Sequence, residues 1–192
     1  MTSMYDVIIA GGSISGLLTA REIAKNGHSV LVLEEGFEVG SPEHCGGLVS
    51  KSALNDLGIE PSVKSFECKI NSAKIFFPND NHFNLDSRNQ KIIVVNRREL
   101  KKQAARQAKD NGAEIIVKAS FKNKTLNKIE TTIGEFDCKV FVDCRGASVL
   151  VNKNKDGTYP TAQYEVYADW IKKDQVEVYL DQEKFPGFFA WI

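Results

Sequence analysis

The sequence predicts an α/β protein: a parallel sheet carrying a small antiparallel meander, joined to part of an antiparallel β domain. Three observations lead there. Residues 5–10 hold a short apolar run, Val7-Ile8-Ile9, that stops at Gly11-Gly12, as a strand covered on both faces does. The period then changes, with Ile14, Leu17, Leu18 and Ala24 on one side of a helix, Ala20 and Ile23 beside them, that Asn26-Gly27 ends. A second apolar run at 29–33 completes a strand–helix–strand unit, whose crossover implies parallel pairing.

The remaining elements follow in order. Gly36, Gly40, Pro42, Gly46 and Gly47 make residues 36–50 a long surface loop. A short helix is expected at 52–57, then strand-like pieces at 70–77, 82–85 and 92–95. Leu100, Ala104 and Ala108 give a helix over 97–111, closed by Asn111-Gly112. Residues 114–117 read as another parallel strand, 121–133 as the meander, and 136–143 as a return into the parallel sheet. Residues 151–160, with Lys153, Asn154, Lys155, Asp156 and Gly157 in a row, read as a solvated linker. Alternation at 163–170 and 175–180 predicts strands of a different sheet. The expected domains are 1–60 with 92–150, and 61–91 with 151–192.

Composition excludes several classes. The 192 residues are 42% apolar, 26% charged and 9% aromatic, which fits a globular chain and excludes disorder or a disulfide scaffold. Twenty-five basic residues balance 25 acidic ones, so no long-range field gathers nucleic acid. The apolar runs fall far short of the roughly 20 residues of a membrane helix. The amino terminus lacks the pattern of a signal peptide, which makes the cytoplasm the expected address. Cys45, Cys68, Cys138 and Cys144 form no C-x-x-C pair and read as thiols without metal. His28, His44 and His82 have no Asp or Ser partner placed by spacing and carry no expected role.

The strongest signal is strand, Gly11-Gly12-Ser13-Ile14-Ser15-Gly16, helix, strand, Glu34. Gly11 permits the tight turn, the small Ser13 lets backbone approach a diphosphate, and Gly16 lets the helix pack close to the sheet. The helix amino terminus offers unpaired N–H groups and partial positive charge to phosphates. Ser13 replaces the usual middle glycine, and its hydroxyl suits a helix cap. Glu34 lies near the spacing at which a carboxylate accepts hydrogen bonds from a ribose diol. Its charge repels a 2′-phosphate, favouring FAD or NAD over NADP. The fold class is therefore an FAD/NAD(P)-binding Rossmann-like sheet with a meander, plus part of an antiparallel β domain, which the resemblance given next implies is the substrate domain.

The stretches YDVIIAGGSISGLLTAREIAKNGHSVLVLEE, PEHCGGLVS, VVNRRELKKQAARQAKDNGAEI, VFVDCRGAS and QYEV…VEVYLDQEKFPGFFAWI together resemble the geranylgeranyl reductase family of flavoproteins, within the superfamily of FAD-dependent aromatic hydroxylases. The resemblance implies bound FAD and reduction of carbon–carbon double bonds in prenyl chains of isoprenoid or ether-lipid precursors. It implies that Gly11, Gly12, Ser13, Ser15 and Gly16 hold the pyrophosphate, that Glu34 holds the adenosine ribose, and that Cys45, Gly46 and Leu48 approach the flavin ring. Arg97 would reach the phosphate or ribityl region, and backbone near Phe121 would meet the adenine. Phe189 and Trp191 resemble the aromatic signature that lines the family's prenyl pocket, with core packing as the alternative. Cys45 is the candidate catalytic proton donor, or a small residue suited to a tight loop.

Two departures stand out. Asp143-Cys144-Arg145-Gly146 replaces a tighter Asp-Gly pair used toward FAD and NADPH, which argues against a nicotinamide site there. The family continues into a second FAD segment that this sequence lacks, so the expectation is a fragment or an incomplete cofactor site, inactive alone. The expected partners are a prenyl-lipid substrate and an electron donor, ferredoxin or NAD(P)H, with at most peripheral membrane contact. The alternatives are an FAD monooxygenase of the same superfamily, and a dinucleotide-binding remnant without catalysis.

Overall fold

A computed structural model describes residues 4–42, 45–86, 89, 91–146 and 158–192. In chain order the elements are β1 (Met4–Ala10), α1 (Ile14–Lys25), β2 (Val30–Leu33), β3 (Leu48–Ser50), α2 (Lys51–Asp56), β4 (Phe66–Ile70), β5 (Ser72–Phe76), a 3-10 turn (Pro78–Asp80), β6 (His82–Asp86), β7 (Ile92–Val95), α3 (Arg97–Asp110), β8 (Glu114–Ile116), β9 (Phe121–Thr125), β10 (Lys128–Thr131), β11 (Gly134–Asp143), β12 (Gln175–Tyr179) and β13 (Ala190–Trp191). They divide into two units, residues 1–43 with 97–156, and residues 44–96 with 157–192.

The first unit is built on a six-stranded sheet in the order β8-β2-β1-β11-β10-β9. β8, β2, β1 and β11 run parallel, and β10 and β9 add the antiparallel meander. Every residue of β2 is buried, because both faces of the sheet are covered. On one face Ile9, Val30 and Val32 pack with Ala20 and Ala24 of α1 and Ala108 of α3. On the other, Ile8, Leu31 and Leu33 pack with Ala119, Ile129 and Cys138. Each fully buried aliphatic side chain contributes roughly 1.5–3 kcal/mol of transfer free energy. Alanines on α1 and α3 let the helices approach, and the Arg21 guanidinium donates to Gln107 Oε1 at 2.9 Å across them. Gly27 and Gly112 both take positive φ after their helices, as the sequence punctuation requires.

The second unit holds two smaller sheets, β13-β12-β5-β6 and β3-β7-β4. Here the structure differs from the sequence reading in three places. The strand-like piece at 70–77 is not one strand: β4 ends at Ile70 and β5 begins at Ser72 in another sheet. Asn71 makes the break, donating its backbone N–H to the Asp174 carbonyl at 2.8 Å and its side-chain amide to the Asp174 carboxylate at 3.0 Å. Residues 92–95 form the expected strand, but β7 pairs with β3 and β4, and with residues 44–60 it lies in the second unit. The alternation at 163–170 forms no strand, and Tyr164 and Tyr167 stand exposed. A strand needs a neighbour for its ladder, and both edges of β12 are already taken, by β5 and β13. The expected linker at 151–160 lies largely outside the described residues, as does His44.

Asp6 ties the start of β1 to its two neighbours. Its carboxylate accepts from the Ser29 amide at 2.9 Å, the Ser29 hydroxyl at 3.0 Å and Lys139 Nζ at 2.6 Å. The Lys139 bond, with those from Ser29, holds the Asp6 carboxyl far below the usual carboxylate range. A folded-state pKa below the unfolded value adds stability that is complete above the unfolded pKa and is lost as pH falls toward the folded one. Asp6→Asn is therefore expected to lower the melting temperature at pH 7. The gap between variant and wild type should close as pH drops through about 4 and below, which melts recorded from pH 7 to pH 2 will read.

Candidate functional site

The glycine turn lies at the carboxyl ends of the central parallel strands, where β1 passes into α1. Gly11 has φ of +104°, and a Cβ there would lie 2.6 Å from the Cys144 carbonyl oxygen. Gly16 is tighter: its Cβ would meet the Gly11 carbonyl oxygen at 2.2 Å. These contacts press the first turn of α1 against the end of β1 and against the segment that follows β11. The Gly11 N–H is spent on the Leu33 carbonyl at 2.8 Å, and the Cys144 N–H on Ala10 at 2.7 Å.

Ser13 is the N-cap of α1, and its hydroxyl accepts the Gly16 N–H at 3.2 Å and pairs with the Ser15 hydroxyl at 2.9 Å. The serine in the middle-glycine position thus finishes the helix instead of obstructing it. The backbone N–H groups of Ser13, Ile14 and Ser15 have no acceptor among the described residues. Three adjacent donors at the positive end of a 12-residue helix form an anion cradle.

Glu34, at the end of β2, is held at both oxygens. Oε2 accepts the Gly12 N–H and Oε1 the Gly36 N–H, each at 2.7 Å. A Cβ at Gly12 would come within 2.6 Å of Oε2, so glycine is needed for the carboxylate to reach the turn. Each carboxylate oxygen retains further acceptor capacity for a diol. The Glu34 backbone is fixed as well, its N–H going to Ile116 and its carbonyl accepting from Ala119. The cradle and carboxylate suit the diphosphate and ribose of a dinucleotide.

Phe121 is half-buried against the meander-side core, its ring stacked on Phe141 with centroids 4.8 Å apart. The guanidinium of Arg145 lies over it, 4.4 Å from Cζ to the ring centroid. Arg145 also grips Asp143 twice, from Nε at 2.9 Å and Nη2 at 2.7 Å. From the sequence Arg145 enters only as part of a departure from a family pattern; its signal is the spacing Asp143-x-Arg145 at the end of an apolar strand segment. Arg97 opens α3 and is half-buried. Its neighbour Arg98 pairs with Glu38, which also takes Lys102 at 3.1 Å. Those cations, Lys102 foremost, hold the Glu38 carboxyl below its ordinary range.

Within the second unit, the cysteine loop and the tryptophan ending come together. A Cβ on Gly46 would fall 2.3 Å from the Trp191 ring, and one on Gly47, at φ +75°, 2.1 Å from the Val95 carbonyl. Cys45 is exposed beside this contact, and Leu48 begins β3 half exposed. Trp191 stands opposite Val178, Val178 opposite Ile75, and Ile75 opposite Phe83, an apolar row across all four strands. A second row, Val176, Ala73 and Leu85, shares that face. Phe189 stacks on Phe188 at 4.5 Å, both partly exposed. Among the described residues no cluster of side chains fits a metal ion, and no helix is long and apolar enough to cross a membrane.

No family model matches the chain. It is 34% identical over its full length to the digeranylgeranylglycerophospholipid reductase of Methanocella arvoryzae, covering 54% of that protein. It is 26% identical over 98% of its length to digeranylgeranylglycerophospholipid reductase 2 of Methanopyrus kandleri, covering 51% of it. A geranylgeranyl bacteriochlorophyll reductase-like protein from Thermoplasma acidophilum shares the fold, with a TM-score of 0.78 and 23% identity over 98% of this chain and 53% of that one. The chain thus spans about half the length of the relatives it matches. Over nearly its whole length the chain is thus similar in sequence to these digeranylgeranylglycerophospholipid reductases and similar in fold to the Thermoplasma protein.

Proposed function

We propose that this chain carries the diphosphate and ribose contacts of an FAD site, and that the protein reduces carbon–carbon double bonds in the geranylgeranyl chains of isoprenoid or ether-lipid precursors. The carrying observation is the cradle itself: three amides with no acceptor among the described residues, beside a carboxylate already fixed by Gly12 and Gly36. The names of the relatives support the substrate class. When bound, FAD supplies the hydride for addition to an alkene.

The chain's own residues then have distinct tasks. Ser13, Ile14 and Ser15 donate backbone N–H groups to the diphosphate, and Glu34 accepts from the ribose diol while its charge disfavours a 2′-phosphate. Cys45 gives a proton to the substrate carbon opposite hydride delivery, and Gly46 and Leu48 lie toward the flavin ring. The apolar face that Trp191 shares with Val178, Ile75 and Phe83 excludes water and lays the prenyl chain along the sheet. Phe189 extends that wall. Arg97 faces the cofactor's phosphate or ribityl end. Ferredoxin or NAD(P)H delivers the electrons, and the protein meets its lipid at the membrane surface by peripheral contact.

Dinucleotide binding is tested first. Titration with FAD is expected to saturate the wild-type chain. Glu34→Gln should weaken binding about tenfold, the scale of one charge-assisted hydrogen bond. Gly16→Ala should abolish it, because the new methyl group displaces the Gly11 carbonyl; undiminished binding by Gly16→Ala contradicts the cradle. For the chemistry, the complete enzyme, reduced with dithionite and mixed anaerobically with a geranylgeranylated glycerol lipid, is expected to reoxidise as the lipid gains hydrogen. Oxygen-dependent hydroxylation of a ring compound, with no reoxidation by the lipid, sinks the reductase reading. Cys45→Ala should keep its FAD and slow this reoxidation, and an unchanged rate removes the proton-donor role.

A further inference from the structure

Arg145 has more structure around it than a surface arginine needs. Its Nε and Nη2 are both committed to the Asp143 carboxylate, and its backbone N–H donates to the same group at 3.1 Å. The guanidinium carbon lies over the Phe121 ring, which itself stacks on Phe141. The side chain keeps 26% exposure, so the group above the two rings reaches solvent.

Its place relative to the cradle gives the stack a purpose. The Arg145 backbone nitrogen lies 3.0 Å from where a Gly11 Cβ would be, so the residue adjoins the glycine turn. Its side chain is close enough to Glu35, next to the ribose carboxylate, for that charge to act on it. Arg145 therefore adjoins the glycine turn, with the Glu34–Glu35 corner within reach of its charge, and the base of a nucleotide held at cradle and carboxylate is the part left to meet a flat group beside them.

We infer that the guanidinium plane of Arg145, clamped by Asp143 and laid on Phe121, is a stacking platform for the adenine of the bound dinucleotide. This rests on the dinucleotide reading above. A role as phosphate ligand fits less well. Two edges of the guanidinium are occupied and its charge is met by Asp143, so what remains to offer is chiefly a flat, weakly hydrated surface. Guanidinium planes stack on aromatic bases with useful strength, and the contact is fixed by shape more than by charge.

The test separates plane from charge, using ADP and inorganic pyrophosphate as probes in calorimetric titrations of the 192-residue chain. Arg145→Lys keeps the charge and loses the plane. It is expected to weaken ADP about tenfold, as loss of a stacked base does, with pyrophosphate binding unchanged. Arg145→Gln, with a planar uncharged end, is expected to lose less ADP affinity than Arg145→Lys and likewise to leave pyrophosphate alone. Lysine binding ADP as tightly as arginine does overturns the platform, as do parallel losses of both probes, which mark a charge contact. Melting curves of both variants identify any loss due to misfolding, and the better-folded variant then decides by its ratio of ADP to pyrophosphate affinity. Wild-type protein that binds neither FAD nor ADP removes the dinucleotide reading itself, and the platform with it. Binding of both by wild type, with ADP affinity indifferent to either substitution, removes the platform alone.

Discussion

The first unit depends on a point where side-chain volume is absent. α1 begins so close to the end of β1 that a methyl group on Gly16 would overlap the Gly11 carbonyl oxygen, and Gly11 in turn lies against Cys144. Three chain segments converge there, and only backbone fits between them. The closeness aims the first amides of α1 past the strand ends, and it lets Gly12 meet the Glu34 carboxylate. Helix, carboxylate and β11 turn are therefore positioned by a single steric condition.

The parts of the fold legible in the sequence are those governed by local rules. Asn26-Gly27 and Asn111-Gly112 end their helices because αL caps need such residues. The apolar runs of β1 and β2 read correctly because both faces of a parallel sheet are covered. The errors arose where pairing over distance decides the outcome. Nothing near Asn71 in the sequence reveals Asp174, which receives both of its hydrogen bonds where β4 gives way to β5 in another sheet. Residues 163–170 alternate as a strand should, yet β12 takes β5 on one side and β13 on the other instead.

The candidate site shows the same division. Ser13 as a helix cap was readable from residue type and position, and the structure bears it out. The contact of Gly46 with Trp191 joins residues far apart in sequence, and no spacing rule reaches it. The resemblance to a family named both segments without saying that they touch. Arg145 was hidden for another reason: its significance comes from Phe121 beneath it and Asp143 beside it, and arginine in isolation reads as surface.

Glu34 carries a last implication. Both of its oxygens are anchored before any ligand arrives, one to the β1–α1 turn and one to the loop after β2. A free glutamate surrenders rotamer entropy when it captures a ligand. This one has surrendered it already during folding, so a larger share of each new hydrogen bond appears as affinity. The same anchoring makes the carboxylate a rivet between two loops, tying the glycine turn to residues 34–36 and, through the Glu34 carbonyl and Ala119, to the approach to the meander.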